Sequence, residues 1–409
     1  MKISSPIIQV CNAVQQVDGR AWIVGGAVRD SLMGIESKDI DIEVHGIGAG
    51  VLSKTLKKLG TVNEIGKSFG VFKLVLAGNE FDVSIPRRDS QQGTAHNDIE
   101  VIGDPHMGMR EAARRRDLTI NAIAYDPLTE EYADPWNGIQ DIEKGILVAV
   151  DLNTFGEDPL RVLRVMQFAA RFGFAVDPNL VDLCDAADLS TLPAERLWGE
   201  FEKLLMRSST PSIGWALAHE LHILKRVLPE ISLLEIGTVN KALDRAAQYK
   251  DQLEGAGRAT ALMLSAMLHN TDSSLAEITL EHLGVFKLHG YQVRKRVIQS
   301  VSIWPTLVEP TDDTTLRRMA ENYDLSLVAG LAWAVTGQQD ALDNLQRANE
   351  LGISTEPMPV LVKGRDLRKF GIEPGPSMGE WLQKIREAQI EGTVMDTEQA
   401  ILWMENQLQ

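Results

Sequence analysis

Apolar and polar positions follow two regimes along this chain. Near the start, Ile7, Val10, Cys11 and Val14 recur at helical spacing and predict an amphipathic helix ended by Asp18-Gly19. Residues 22–24 form a short apolar run suited to a buried strand, and Gly25-Gly26 follows as a sharp turn. Residues 27–33 can make two helical turns, with Gly34 placed to stop them. From 39 to 44 the chain alternates strictly, placing Asp39, Asp41 and Glu43 on one strand face and Ile40, Ile42 and Val44 on the core face. A helix over 50–59 and strands over 62–65, 71–76 and 81–85 come next, the last two joined at Gly78-Asn79. Residues 86–109 are polar and aperiodic, which inside a domain marks a functional or a disordered segment. Asp117, Asn121 and Tyr125 recur at i, i+4 and i+8, one polar helical stripe, with Leu118, Ile120 and Ile123 offered to the core. From residue 172 the pattern is helical with short breaks. The fold class expected is therefore α+β: a mixed sheet with helices, followed by an all-α remainder.

Composition adds limits. A chain of 409 residues is too long for one core and implies two to four domains. Its 44% hydrophobic and 24% charged residues are ordinary for a globular protein. No run approaches 18 apolar residues and the first residues lack a signal-peptide core, so we expect a cytoplasmic protein without membrane contact. Two cysteines, Cys11 and Cys184, without metal-ligand spacing agree with a reducing compartment. The net charge of −16 assigns any nucleic-acid binding to local basic patches. Candidate patches are Arg294 to Arg296, Arg317-Arg318, and Lys363 with Arg365, Arg368 and Lys369.

Candidate chemistry concentrates in the first 165 residues. Two unit charges ~4 Å apart at an effective dielectric of ~20 repel by about 4 kcal/mol, so Asp39 and Asp41 call for a cation. Mg²⁺, which takes one or two carboxylates plus substrate phosphates, suits them. The glycine turn at Gly25 and Gly26, the helix start beyond it and Arg29 would face an anion. Asp82 alternates so that it can join Asp39 and Asp41 as a third carboxylate or stand as a solvated edge residue; both readings remain open here. Arg87, Arg88, Asp89 and His96 are candidates to touch RNA or nucleotide. Arg114-Arg115-Arg116 need anions nearby, which a triphosphate or RNA backbone supplies. Asp158, Arg161 and Arg164, at i, i+3 and i+6 on a helix opened by Pro159, offer acceptors and donors together, enough to read the edge of a base. The plainer reading of Asp158 and Arg161 is an intrahelical ion pair worth about 0.3–0.5 kcal/mol.

GGAVRD at 25–30, DIDIE at 39–43, RRDLTINA at 115–122 and EDPLRVLR at 157–164 together resemble the class II tRNA nucleotidyltransferase and bacterial poly(A) polymerase family. The resemblance implies a polymerase-β-like nucleotidyltransferase head over 1–145, a nucleotide-selecting neck over 146–210, a helical body over 211–310 and a tRNA-binding tail over 311–409. It implies Asp39 and Asp41 as catalytic Mg²⁺ ligands, two ions being expected, and Gly25, Gly26, Arg29 and Arg116 around the triphosphate. Asp117 and Asn121 would lie near the ribose, while Asp158, Arg161 and Arg164 select the base. The segment 86–109 would take part in the switch from C to A. Relatives carry an arginine near Val148 and another at the position of Gln167, so those contacts are missing here. Many also carry a metal-binding phosphohydrolase motif in the body; His269-Asn270, His219 and His222 do not reproduce it, and no second metal site is expected. The implied activity is addition of CCA to the 3′ end of tRNA from CTP and ATP, with no protein partner. Alternatives are an enzyme adding only A or only CC, a poly(A) polymerase, or a non-catalytic RNA-binding relative.

Overall fold

The computed structural model describes residues 1–37, 39–66, 70–91 and 99–408. The chain divides into two compact units, Met1–Asp188 and Leu189–Gln409. The first is a mixed α+β head and the second is helical.

The head opens with α1 (Ser5–Gln15), whose Ile7, Val10, Cys11 and Val14 are all buried, as the apolar stripe predicts. β1 (Arg20–Val24), α2 (Gly26–Leu32), β2 (Asp41–His45), α3 (Ala49–Leu56), β3 (Thr61–Gly66), β4 (Val71–Leu76) and β5 (Asn79–Ser84) follow. After a hairpin of β6 (Arg87–Gln91) and β7 (Ile99–Gly103) come α4 (Met109–Arg114), β8 (Ala124–Asp126), β9 (Glu131–Ala133) and α5 (Gly138–Lys144). The unit closes with β10 (Ile146–Leu147), α6 (Leu160–Phe172), β11 (Ala175–Val176) and α7 (Pro178–Ala186).

Seven strands form one sheet in the order β3-β4-β5-β2-β1-β8-β9. Only β2 and β5 run parallel, and their register sets Asp41 directly beside Asp82. Antiparallel pairing sets Val24 opposite Asp41. One apolar core lies under this sheet, where Ile42, Val44, Phe72, Leu74 and Val83 meet the buried stripe of α1.

Four expectations change. The alternating strand starts at Asp41, leaving Asp39 outside it, and Glu43 is buried at 3% exposure because a polar cluster covers that face. Within 86–109, β6 pairs antiparallel with β7, and residues 92–98, His96 among them, lie outside the described residues. The helix expected through Asp117, Asn121 and Tyr125 is instead a 3₁₀ turn, Thr119–Asn121, leading into β8. Strand pairing overrides the helical period: Tyr125 pairs with Ile23 across β1 and β8. The β4/β5 turn falls at Ala77-Gly78, both at positive φ, one residue earlier than expected.

The second unit packs helices such as Ala256–Leu268, Val293–Ile303 and Leu325–Thr336 around a buried Asp324. Its carboxylate accepts from Arg258 Nε and Tyr291 Oη, both at 2.7 Å. No helix among the described residues is long and apolar enough to cross a membrane.

α5 supports the turn that carries Asn121. A Cβ added at Gly138 would sit 2.1 Å from the Thr119 carbonyl oxygen, and backbone cannot step aside as a side chain can. Gly138→Ala is expected to cost about 1–3 kcal/mol as overpacking, read as a lower urea midpoint for the head.

Candidate active site

Gly25 holds φ +74° and ψ −133°, a conformation open to glycine alone. Space demands the same residue: an added Cβ would lie 2.7 Å from Arg116 Nη1 and 3.9 Å from Asp41 Oδ2. The turn therefore brings backbone, a guanidinium and a carboxylate into one corner. Arg116 is partly buried, and among the described residues its guanidinium has no hydrogen-bond or ion-pair partner. Burial lowers its pKa, while Glu43, Asp41 and Asp117 act to keep the charge. A cation held by fields but not by contacts is open to an anion.

Asp41 and Asp82 are both exposed and adjacent in register. Register thus sets Asp82 beside Asp41, and its exposure leaves both readings of it open. Partial desolvation pushes the Asp41 carboxyl above its usual range; Arg116 opposes this, and the like charges of Asp82 and Asp39 add to it. Asp39 lies before the strand and is exposed, so it reaches Asp41 through its charge and does not share a pleat with it. Among the described residues, no three acidic, histidine or cysteine side chains converge closely enough to hold a metal by themselves. An Mg²⁺ ion using one or two carboxylates and completing its shell with phosphates and water asks for no such triad. The mutual repulsion around Asp41 is what such an ion would relieve, so the donor set fits.

Behind the carboxylates, Glu43 accepts from His45 Nε2 at 3.1 Å and lies 3.7 Å from Arg115. Burial works to raise its carboxyl, but His45, Arg116 and Arg115 hold it below the usual range. Sequence reading missed this role because alternation put Glu43 on a solvent face.

Asp117 is the most elaborately held group. Its Oδ1 accepts from Asn121 Nδ2 at 2.9 Å and from the Leu118 amide at 2.8 Å, and Oδ2 accepts from Arg164 Nε at 2.6 Å. Burial acts to raise its pKa, but these donors prevail and hold it below the usual range. Asn121 Oδ1 in turn accepts from Arg29 Nη1. Asp117 and Asn121 are thus brought together as their spacing suggests, and Arg164, grouped in the sequence with Asp158 and Arg161, joins them.

Arg29 is placed differently from expectation. It is buried, donates from Nε at 2.8 Å and Nη2 at 2.6 Å to Asp30, and lies 5.0 Å over Phe168 and 4.8 Å over Phe172. Its three nitrogens are occupied, so it braces α2 against α6 from beneath Gly26 and does not front an open anion site. Arg164 covers Phe168 as well, at 5.1 Å. Phe168 and Phe172 stack at 5.6 Å, an aromatic support that arginine spacing alone does not reveal.

Asp158 and Arg161 also depart from the single helical stripe. α6 begins at Leu160, and Asp158 precedes it, accepting from the Leu160 amide at 3.1 Å. Arg161 donates to the carbonyls of Thr154 at 2.6 Å and Arg115 at 2.7 Å.

Residues 21–148 match the profile of the poly A polymerase head domain, and 173–234 that of the "probable RNA and SrmB-binding site of polymerase A". Residues 258–404 match "tRNA nucleotidyltransferase domain 2 putative". Three profiles of poly A polymerase and tRNA nucleotidyltransferase domains thus match separate stretches of the chain. A relative named multifunctional CCA protein, from Psychromonas ingrahamii, is 38% identical over 220 residues, covering 52% of this chain and 51% of its own. Another of that name from Xanthomonas campestris is 34% identical over 222 residues, covering 53% and 52%. The chain thus spans about half the length of the curated relatives it matches. The CCA-adding enzyme of Bacillus stearothermophilus in complex with CTP superposes with a TM-score of 0.75 at 23% identity, over 99% of each chain. That of Thermotoga maritima with tRNA gives 0.68 at 20%, over 100% of this chain and 97% of its own. This likeness shows that the chain shares the fold of these solved structures.

The raised carboxyl of Asp41 carries a sign. With the folded pKa above the unfolded value of about 3.9, the group contributes nothing below that value and costs stability as pH rises through the folded pKa. Asp41→Asn is therefore expected to raise the urea midpoint at pH 7 relative to the native chain. A lowered midpoint would contradict a site under charge strain.

Proposed function

We propose that this protein is a template-independent RNA nucleotidyltransferase that adds C, C and then A to the 3′ end of tRNA from CTP and ATP, releasing pyrophosphate. The observation that carries the reading is the corner where Arg116, whose guanidinium has no partner among the described residues, meets Gly25 and the adjacent carboxylates Asp41 and Asp82. Names of the relatives and solved neighbours point the same way, since these include CCA-adding enzymes with CTP, ATP and tRNA.

Asp39 and Asp41 would hold Mg²⁺, with Asp82 adding negative charge beside them. When bound, the ion supplies charge neutralisation at the triphosphate and activation of the 3′-hydroxyl. Arg116 holds the triphosphate, and the missing Cβ at Gly25 lets phosphate oxygens approach the backbone. Arg29 acts from below, fixing Asn121 and the start of α2. Asp117 and Asn121 face the ribose, and Arg164 keeps Asp117 ionised and oriented. Asp158 and Arg161 read the base; for this Arg161 has to leave the carbonyls of Thr154 and Arg115, so the reading state differs from the one described. The discrimination comes from leaving buried polar groups unpaired against a wrong base, a stronger rejection than a pocket wall gives. Residues 146–210 act as the selecting neck, and the helical remainder as body and tRNA-binding tail. Cytoplasmic location follows from the tRNA substrate and from two buried, free cysteines.

Purified protein, Mg²⁺ and tRNAs ending before CCA, after C and after CC test the proposal, with CTP and ATP supplied singly and together and products sized at single-nucleotide resolution. The expected products are CC from CTP, then one A and a stop. Asp41→Ala should abolish addition while tRNA binding persists, and Asp158→Ala should relax the choice between C and A. Long A runs would instead identify a poly(A) polymerase, and no incorporation would reduce the chain to an RNA-binding relative.

A further inference from the structure

The head carries a cavity of about 450 Å³ whose lining shares no residue with the cluster around Asp41. One wall is α4, on which Arg110 and Arg114 lie one turn apart and face the same side. Trp136, Asp151 and Asn153 form the other walls. The two arginines are in different electrostatic states. Arg114 is bound to Asp151 at 2.6 Å and lies 3.9 Å from Glu111. Arg110 has no carboxylate partner among the described residues; its Nη1 donates to the Pro135 carbonyl at 2.6 Å.

Arg110 and Trp136 lock each other in place. The guanidinium carbon sits 4.0 Å over the indole centroid, and Trp136 Nε1 donates to the Arg110 carbonyl at 3.0 Å. The indole also packs on Ala113, Ala122 and Val150. An exposed, planar cation is thereby held at stacking distance on an aromatic ring anchored in the core. Such a plane is a platform for an unpaired base, and its unneutralised charge attracts the attached phosphate. The cavity volume suits one small ligand and not a duplex. The same short segment continues into Arg115 and Arg116, so a nucleotide gripped by α4 is fixed relative to the triphosphate corner.

We infer that this groove binds one unpaired nucleotide of the RNA substrate, its base stacked on Arg110. The inference rests on the reading of the chain as an RNA nucleotidyltransferase and adds a second RNA contact in the head. The full chain is titrated, without nucleotide or metal, with three labelled hairpin RNAs: one with a 3′ overhang, one with an abasic overhang and one blunt. Native protein is expected to bind the base-bearing overhang about tenfold more tightly than the abasic one, the effect of one stacked base. Arg110→Ala and Arg110→Lys should both lose that preference, because lysine keeps the charge but not the plane. Arg110→Lys should keep native affinity for the abasic RNA. The inference is overturned if Arg110→Ala retains the preference, if Arg110→Lys behaves as native, or if free CMP displaces the overhang as well as RNA does. A preference that is absent from native protein, or that survives Arg110→Ala, while native protein adds C and A normally overturns this inference alone, whereas no addition by native protein overturns the reading beneath it.

Discussion

The buried bond between Asp117 and Arg164 is the contact on which the head's functional end depends. It places a carboxylate that is 8% exposed against a guanidinium from a helix 47 residues further along the chain. Because Arg164 is 31% exposed, losing it strands the buried Asp117 carboxylate at a cost below the about 3–5 kcal/mol of a fully buried pair. Through Asn121 the bond extends to Arg29, so α2, the 3₁₀ turn and α6 are joined by one polar chain. Phe168 lies under both terminal arginines, and each such contact is worth about 0.5–2 kcal/mol depending on desolvation. A polar network of this kind specifies one arrangement because each member is satisfied only by the next.

The site achieves a local balance that the whole chain does not show. A net charge of −16 would repel RNA, yet Arg29, Arg115, Arg116, Arg164 and Arg171 gather around Asp30, Glu43 and Asp117. Most of these charges neutralise each other. What remains open is Arg116 on one side and Asp41 with Asp82 on the other. The structure thus separates charges that hold the fold from charges offered to ligand and metal.

Much of this was legible in the residues. The lead-in helix, the glycine turn, the strands at the sheet's edge and the helical second half follow from period and punctuation. Other features depended on contacts distant in sequence. Asp82 could be placed only by the parallel register of β2 and β5, which local pattern does not determine. Asp117 and Asn121 were rightly paired by their spacing of four, but the spacing was realised in a 3₁₀ turn because β8 had to join the sheet immediately afterwards. Glu43 and Arg29 were misplaced for one reason: a charged side chain suggests solvent until its buried partners are known. The cavity beside Trp136 was invisible, since nothing in the sequence joins Arg110 to a tryptophan 26 residues away.

The most direct measurement is a double-mutant cycle on Asp117→Asn and Arg164→Met, read in the dissociation constant for CTP. If the buried pair organises the site, each single variant weakens binding and the double variant is little worse than either. The coupling energy would then exceed about 1 kcal/mol. Losses that simply add would show two independent contacts, and would contradict an account in which one polar chain holds the nucleotide-facing groups in place.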